Sequence, residues 1–128
     1  MALVVADTDV LIDFLAGVDP VAKEISGLLQ EGRLTTTVIS RFELMAGAKT
    51  HSQQKIAHDL LDLLPTFALD SQATDRAAMI QRTLEAQGSP IGMADSLIAG
   101  ITLIHDARLF TRNRKHFDRV SDLKLFGI

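Results

Sequence analysis

The sequence predicts an α/β domain built on a mostly parallel sheet. Three observations carry that reading. Short apolar runs at residues 3–6, 34–38 and 107–111 alternate with segments of helical periodicity. Such alternation gives βα units and parallel strands. The opening run, Leu3-Val4-Val5-Ala6, is continuously apolar and then stops at Asp7-Thr8-Asp9, as a strand buried on both faces should. At 128 residues and 47% hydrophobic, the chain suits one domain with a real core, spanning 1–128.

The elements follow in order. Strand one covers about residues 2–7. A helix across Val10, Leu11, Phe14 and Leu15 ends near Gly17. Asp19-Pro20 reads as an N-cap followed by proline at the first helical position. That helix buries Val21, Ile25, Leu28 and Leu29 and stops at Gly32. A second strand runs from Leu34 to Val38, and a helix from Ser40 to about Ala48. The next helix carries Ile56, Leu60, Leu63 and Leu64 and is ended by Pro65. A short strand is expected at Phe67 to Leu69. The helix from Ser71 to Gln87 places Ala73, Ala77, Ile80 and Leu84 on one face. Gly88 to Gly92 is a loop. Residues 94–105 form an almost wholly apolar helix, which must be buried on most sides. Ala107 to Thr111 is a strand, followed by a basic turn or short helix and a last strand near Leu123 to Phe126.

Composition narrows the chemistry. There is no cysteine, so disulfides, thiolate metal sites and thiol nucleophiles are excluded together, and a reducing cytoplasm is expected. No apolar run reaches membrane-spanning length, and no basic stretch precedes the first apolar segment as in a signal peptide. The net charge of −3 hides an asymmetry. Residues 1–107 hold 7 bases against 14 acids, and residues 108–128 hold 6 bases against 2 acids. An acidic body with a basic end suits a metal site beside a polyanion.

Ligands of open α/β sheets sit outside the carboxyl ends of the strands. Asp7 ends strand one, with no Lys or Arg within ten residues. Glu43 falls in the first turn of the helix after strand two, and Asp95 opens the apolar helix. The fold rule brings the three to one edge. Crowded carboxylates raise one another's pKa unless a cation joins them. Oxygen-only ligands point to Mg²⁺ or Mn²⁺ rather than zinc. Each acid also has a structural reading: Asp7 and Asp95 as helix caps, and Glu43 as the far end of a capping box, Ser40-Arg41-Phe42-Glu43. Asp9 is a further candidate to face the site, and Asp13 is expected in solvent.

The four histidines suggest no site, since no His-x-x-x-His pair occurs. No Ser-His-Asp order and no glycine-rich phosphate loop stands out. An activated water is the nucleophile left. Arg112, Arg114 and Lys115 follow a strand and therefore lie near the ligand edge, where they could bind phosphate or form ion pairs with Asp118 and Asp122. Phe110 and Phe117 read as core. With no Trp or Tyr, a stacking platform for single strands is not supported.

Four segments in order resemble the PIN-domain family, in particular VapC-type toxin ribonucleases of toxin–antitoxin pairs: VVADTDVLIDFL, TTTVISRFELMAGA, GMADSLIAGI and LFTRNRKHF. The resemblance covers essentially the whole chain. It implies a three-layer α/β/α sandwich and Mg²⁺- or Mn²⁺-dependent cleavage of RNA. It maps the acidic site onto Asp7, Glu43 and Asp95. The family's frequent fourth acid falls on Asn113, which can accept or donate hydrogen bonds but brings no charge. A homodimer and a small antitoxin are implied as partners. Two other readings stand beside it. One is a non-catalytic binding module of the same fold. The other is a phosphatase, because Asp7-Thr8-Asp9 resembles the D-x-D start of haloacid-dehalogenase-type enzymes, although the chain is short and its candidate lysines, Lys115 and Lys124, come late.

Overall fold

The computed structural model describes residues 2–127. Five parallel strands form the sheet: β1 Val4–Ala6, β2 Leu34–Thr37, β3 Thr66–Phe67, β4 Arg108–Phe110 and β5 Lys124–Leu125, in the order β3-β2-β1-β4-β5. Seven helices flank it: α1 Thr8–Leu15, α2 Val21–Gln30, α3 Val38–Gly47, α4 His51–Leu61, α5 Ser71–Ala86, α6 Met93–Ile104 and α7 Arg114–Phe117.

Successive strand residues point to opposite faces, and the core divides accordingly. Val4 and Ala6 join Leu11, Ile25, Leu28, Leu44 and Leu61 beneath α1–α4. Val5 joins Ile80, Leu84, Ile98 and Phe117 beneath α5–α7. This is the expected three-layer sandwich, with every strand pair parallel. Helices α5 and α6 pack tightly at Gly100, where a Cβ would stand 2.8 Å from the Ala73 carbonyl oxygen. Any larger residue there would push the two helices apart.

Several boundaries move. The second strand ends at Thr37, and α3 starts at Val38 rather than Ser40. The Thr37 hydroxyl accepts from the Ser40 amide at 3.1 Å and caps the helix. Asp19 does cap α2, through the Lys23 amide at 3.1 Å, but Pro20 occupies the cap position and Val21 opens the helix. Helix α4 buries Ala57, Leu60 and Leu61, while Ile56 and Leu63 are exposed. Of the predicted apolar residues Leu60 and Leu64 are buried, the latter beyond the helix end at Leu61, and Ala57 and Leu61 take the places expected for Ile56 and Leu63. Phe110 and Phe117 are core, as expected.

Candidate active site

The order β3-β2-β1-β4-β5 reverses direction at β1: the chain builds outward through β2 and β3, then returns to place β4 on the other side. The carboxyl ends of β1 and β4 therefore flank a crevice, the position at which open α/β sheets bind ligands. Asp7 follows β1 and Thr111 follows β4. They meet across the crevice, where the Thr111 hydroxyl donates to Asp7 Oδ2 at 2.8 Å. The other Asp7 oxygen accepts from the Thr8 amide at 2.8 Å, so Asp7 also caps α1. The helix-cap reading of Asp7 holds, and its carboxylate stands in the crevice.

Thr8 links the second acid. Its hydroxyl donates to Glu43 Oε1 at 2.6 Å. Glu43 lies in the second turn of α3, because the helix begins at Val38. The capping-box reading is thereby overturned: Thr37 is the cap, and Ser40 Oγ is buried with no partner. Asp95 stands in the first turn of α6 behind Gly92, whose φ of 90° opens that helix. It caps nothing. Its Oδ2 instead lies 3.3 Å from Asn113 Nδ2 and 3.2 Å from His116 Nδ1.

Burial, and then the neighbouring Asp9 carboxylate, pushes the Asp7 carboxyl up to about 6, with Asp95 adding in the same direction. Asp9 is likewise raised, chiefly by burial. Asp9 Oδ2 accepts from the Arg112 amide at 3.1 Å, whereas its Oδ1 is buried without a partner. Negative charge is thus concentrated in the crevice, and neither a lysine nor an arginine is bonded to Asp7 or to Asp95 Oδ2 among the described residues. Among the described residues no three acids or histidines close into a ready cage. Mg²⁺ does not require one, since it keeps several waters and takes one or two carboxylates. Asp7 and Asp95, with the orphaned oxygen of Asp9 beside them, fit a hydrated divalent cation.

The basic residues do not behave as one group. Arg112 Nε pairs with Asp13 Oδ2 at 3.0 Å. Asp13 is buried, not solvated as the sequence suggested. The pair ties α1 to the loop after β4, and Arg112 is held by it rather than left free for phosphate. Arg114 donates to the Phe126 carbonyl at 3.1 Å. Lys115 is exposed. The ion pairs considered with Asp118 and Asp122 do not involve these three residues; Asp122 faces Arg76 at 4.0 Å.

Sequence reasoning missed His116, Thr8 and Thr111. His116 belongs to no histidine pair, but it stands one helical turn after Asn113, the spacing that lets the two side chains meet. The threonines carry no signal beyond adjacency to the acids.

Comparison with known proteins bears on the family. Residues 4–123 match the family model described as PIN domain. The chain is 32% identical over 123 residues to Ribonuclease VapC1 of Haemophilus influenzae (strain R2866), covering 92% of each chain. It is 29% identical over 125 residues to Ribonuclease VapC1 of Methanocaldococcus jannaschii, covering 98% of this chain and 84% of that one. The solved structure of VapBC-1 from nontypeable Haemophilus influenzae superposes with a TM-score of 0.84 at 29% identity, covering 97% of this chain and 96% of that one. The chain belongs to the PIN-domain family.

Proposed function

We propose that this protein is a Mg²⁺- or Mn²⁺-dependent endoribonuclease, the toxin of a type II toxin–antitoxin pair. One observation supports the reading: Asp7 stands buried at the end of β1, with Glu43 joined to it through Thr8 and the Asp95 charge acting on it, and hydroxyls and amides hold these carboxylates. The relatives named as ribonucleases support it. A bound divalent cation would supply a water of lowered pKa and offset the charge developing on the attacked phosphate. Asp7 and Asp95 would hold it. Glu43, fixed at Oε1 by Thr8, keeps its other oxygen for orienting the attacking water and taking its proton. Asn113 positions water or a phosphate oxygen. Exposed Lys115 and Arg114 would contact flanking phosphates, while Arg112 stays paired with Asp13. Single-stranded or loop RNA suits such a cleft, because its backbone can be splayed into it.

The partners belong to the same proposal. An apolar groove of about 410 Å³ runs between α1, α3 and α4, lined by Ile12, Leu15, Leu44 and Ile56, and reaches Glu43 at its edge. An antitoxin segment with an apolar face would fit it and mask the site. The protein is further proposed to act as a cytoplasmic homodimer, which sedimentation would read directly. Among the described residues no helix is long and apolar enough to cross a membrane.

The test is cleavage of single-stranded RNA by the purified protein. Cleavage with Mg²⁺ or Mn²⁺ that stops on adding EDTA is expected. Undiminished cleavage in EDTA would refute the cation mechanism. Absence of cleavage in every metal would leave the binding-module reading instead.

A further inference from the structure

A cavity of about 390 Å³ opens at the carboxyl ends of β4 and β5, within the size range of small-ligand pockets. Val21, Phe110 and Phe126 form its apolar lining, and Arg112 and Arg114 its charged lining. Among the described residues no carboxylate lines it. Thr111 lines it as well, and the Thr111 hydroxyl donates to Asp7 Oδ2 at 2.8 Å. One residue is therefore common to this cavity and to the acidic crevice. Phe126 is held in place but not covered. Its amide donates to the Leu109 carbonyl at 2.8 Å, and its ring meets Phe110 at 5.1 Å between centroids, tilted by 50°. Phe110 is fully in the core, whereas Phe126 is only half-buried. Arg114 is anchored to the same residue, since its Nη1 donates to the Phe126 carbonyl at 3.1 Å. A guanidinium carries several further N–H donors, so Arg114 keeps some for an anion. Arg112 stays on Asp13 at 3.0 Å.

We propose that this cavity seats one unpaired nucleotide of the substrate RNA, next to the phosphate to be cut, with its base on the Phe126 ring and its phosphate on Arg114. The inference rests on the ribonuclease reading above. An aromatic surface beside an anchored guanidinium suits a ligand that joins a flat ring to a phosphate. Continuity through Thr111 says which ligand that is. A strand that lays one phosphate at Asp7 brings its neighbouring unit to Thr111 and the cavity behind it. Charge agrees with that order, because the cavity offers donors and no acid to a second phosphate. The composition, without Trp or Tyr, argued against a stacking platform. A single half-buried phenylalanine at the end of the chain supplies one stacking position rather than a platform. Stacking of this kind discriminates weakly among bases but strongly against a paired strand, whose bases are not free to turn into a pocket.

The test measures binding apart from cleavage. Full-length protein in EDTA is titrated into a short, fluorescently labelled oligoadenylate, and anisotropy is read at several salt concentrations. Phe126→Leu keeps an apolar side chain against Phe110 and should melt within a few degrees of wild type. It should bind the RNA about fivefold or more weakly, with unchanged salt dependence. Arg114→Gln should also weaken binding and should lower the salt slope by about one. Cleavage then locates the seat. An oligonucleotide that the wild type cuts is remade with an abasic unit at each position flanking the cut. One such position should raise KM about fivefold or more, and Phe126→Leu should erase that penalty. A Phe126→Leu protein that melts normally and binds oligoadenylate like the wild type would overturn the inference, as would an abasic penalty that survives the substitution. Weakened capture of the antitoxin with RNA binding intact would overturn it too, and would give the cavity to the protein partner. A wild type that binds RNA through Phe126 and Arg114 but cleaves none would overturn the ribonuclease reading while supporting the nucleotide seat.

Discussion

Replacing Asp7 by asparagine should stabilise the metal-free protein at neutral pH while abolishing its chemistry. Asp7 is 7% exposed. Burial and Asp9 raise its carboxyl from 3.8 to about 6, against two hydrogen bonds that lower it. The folded protein therefore holds the proton more tightly than the unfolded chain. The stability this gives is fully present below the unfolded value of 3.8 and is lost as pH rises through about 6. A gap of about two units at roughly 1.4 kcal/mol each makes the loss about 3 kcal/mol at neutral pH. Asp7→Asn removes that loss. It cannot accept from both Thr8 and Thr111, which costs about 1 kcal/mol. The net gain is about 2 kcal/mol at pH 8, on the order of 6 °C in melting temperature for a chain of this size. Near pH 4 the wild-type carboxyl is largely protonated, the gain disappears, and only the lost hydrogen bond remains. Thermal unfolding by circular dichroism in EDTA, from pH 4 to 8.5, reads the difference. A variant that melts below wild type at pH 8, or by the same interval at every pH, refutes the argument and makes Asp7 a helix cap alone. Added Mg²⁺ should raise the melting point of the wild type and not of the variant.

Glu43→Gln keeps an oxygen for the Thr8 hydroxyl and should melt normally, yet lose roughly a hundredfold or more in RNA cleavage; near-full activity would remove Glu43 from the site. Ser40→Ala should be neutral or slightly stabilising, because the hydroxyl is buried unpaired, whereas Thr37→Ala should cost about 1 kcal/mol in denaturant unfolding. Ile56→Asp places a charge in the groove between α1, α3 and α4 at a residue 51% exposed. It should leave folding and RNA cleavage intact and weaken capture of the cognate antitoxin; unchanged binding in a pull-down would exclude the groove.

The parts legible in the sequence were those with strong periodicity or a rule of topology. Ala73, Ala77, Ile80 and Leu84 repeat at helical spacing, and all four are buried on α5. Asp7 was legible because a continuously apolar strand ends on it. The misreadings arose where two local signals competed. Thr37 and Ser40 are both good caps, and Ser40 is followed three residues later by a glutamate, so the capping-box pattern pointed to the wrong one. The earlier start of α3 moves Glu43 into the second turn, where it meets Thr8. Asp13 looked solvated because nothing local pairs with it; its partner, Arg112, is 99 residues away and arrives only when β4 is placed beside β1. His116 was invisible for the same reason, since Asp95 comes from another element.

Placement of the basic groups explains why the acids remain costly. Arg112 is engaged by Asp13, and Arg114 by a backbone carbonyl, so neither guanidinium is bonded to Asp7 or Asp95. The donors that do reach the acids include the Thr8 amide and hydroxyl, the Thr111 hydroxyl and the Asn113 amide. An arginine on Asp7 would hold its carboxyl ionised and stabilise the empty fold, but it would fill the place a cation needs. Hydroxyls and amides orient a carboxylate without neutralising it. The roughly 3 kcal/mol that ionised Asp7 costs at neutral pH is therefore not a packing fault. It is unspent attraction for positive charge, and by linkage whatever binds the ionised form recovers it. On the proposed cation reading, lower stability without metal above pH 6 and affinity for a divalent cation would be two measurements of one electrostatic arrangement.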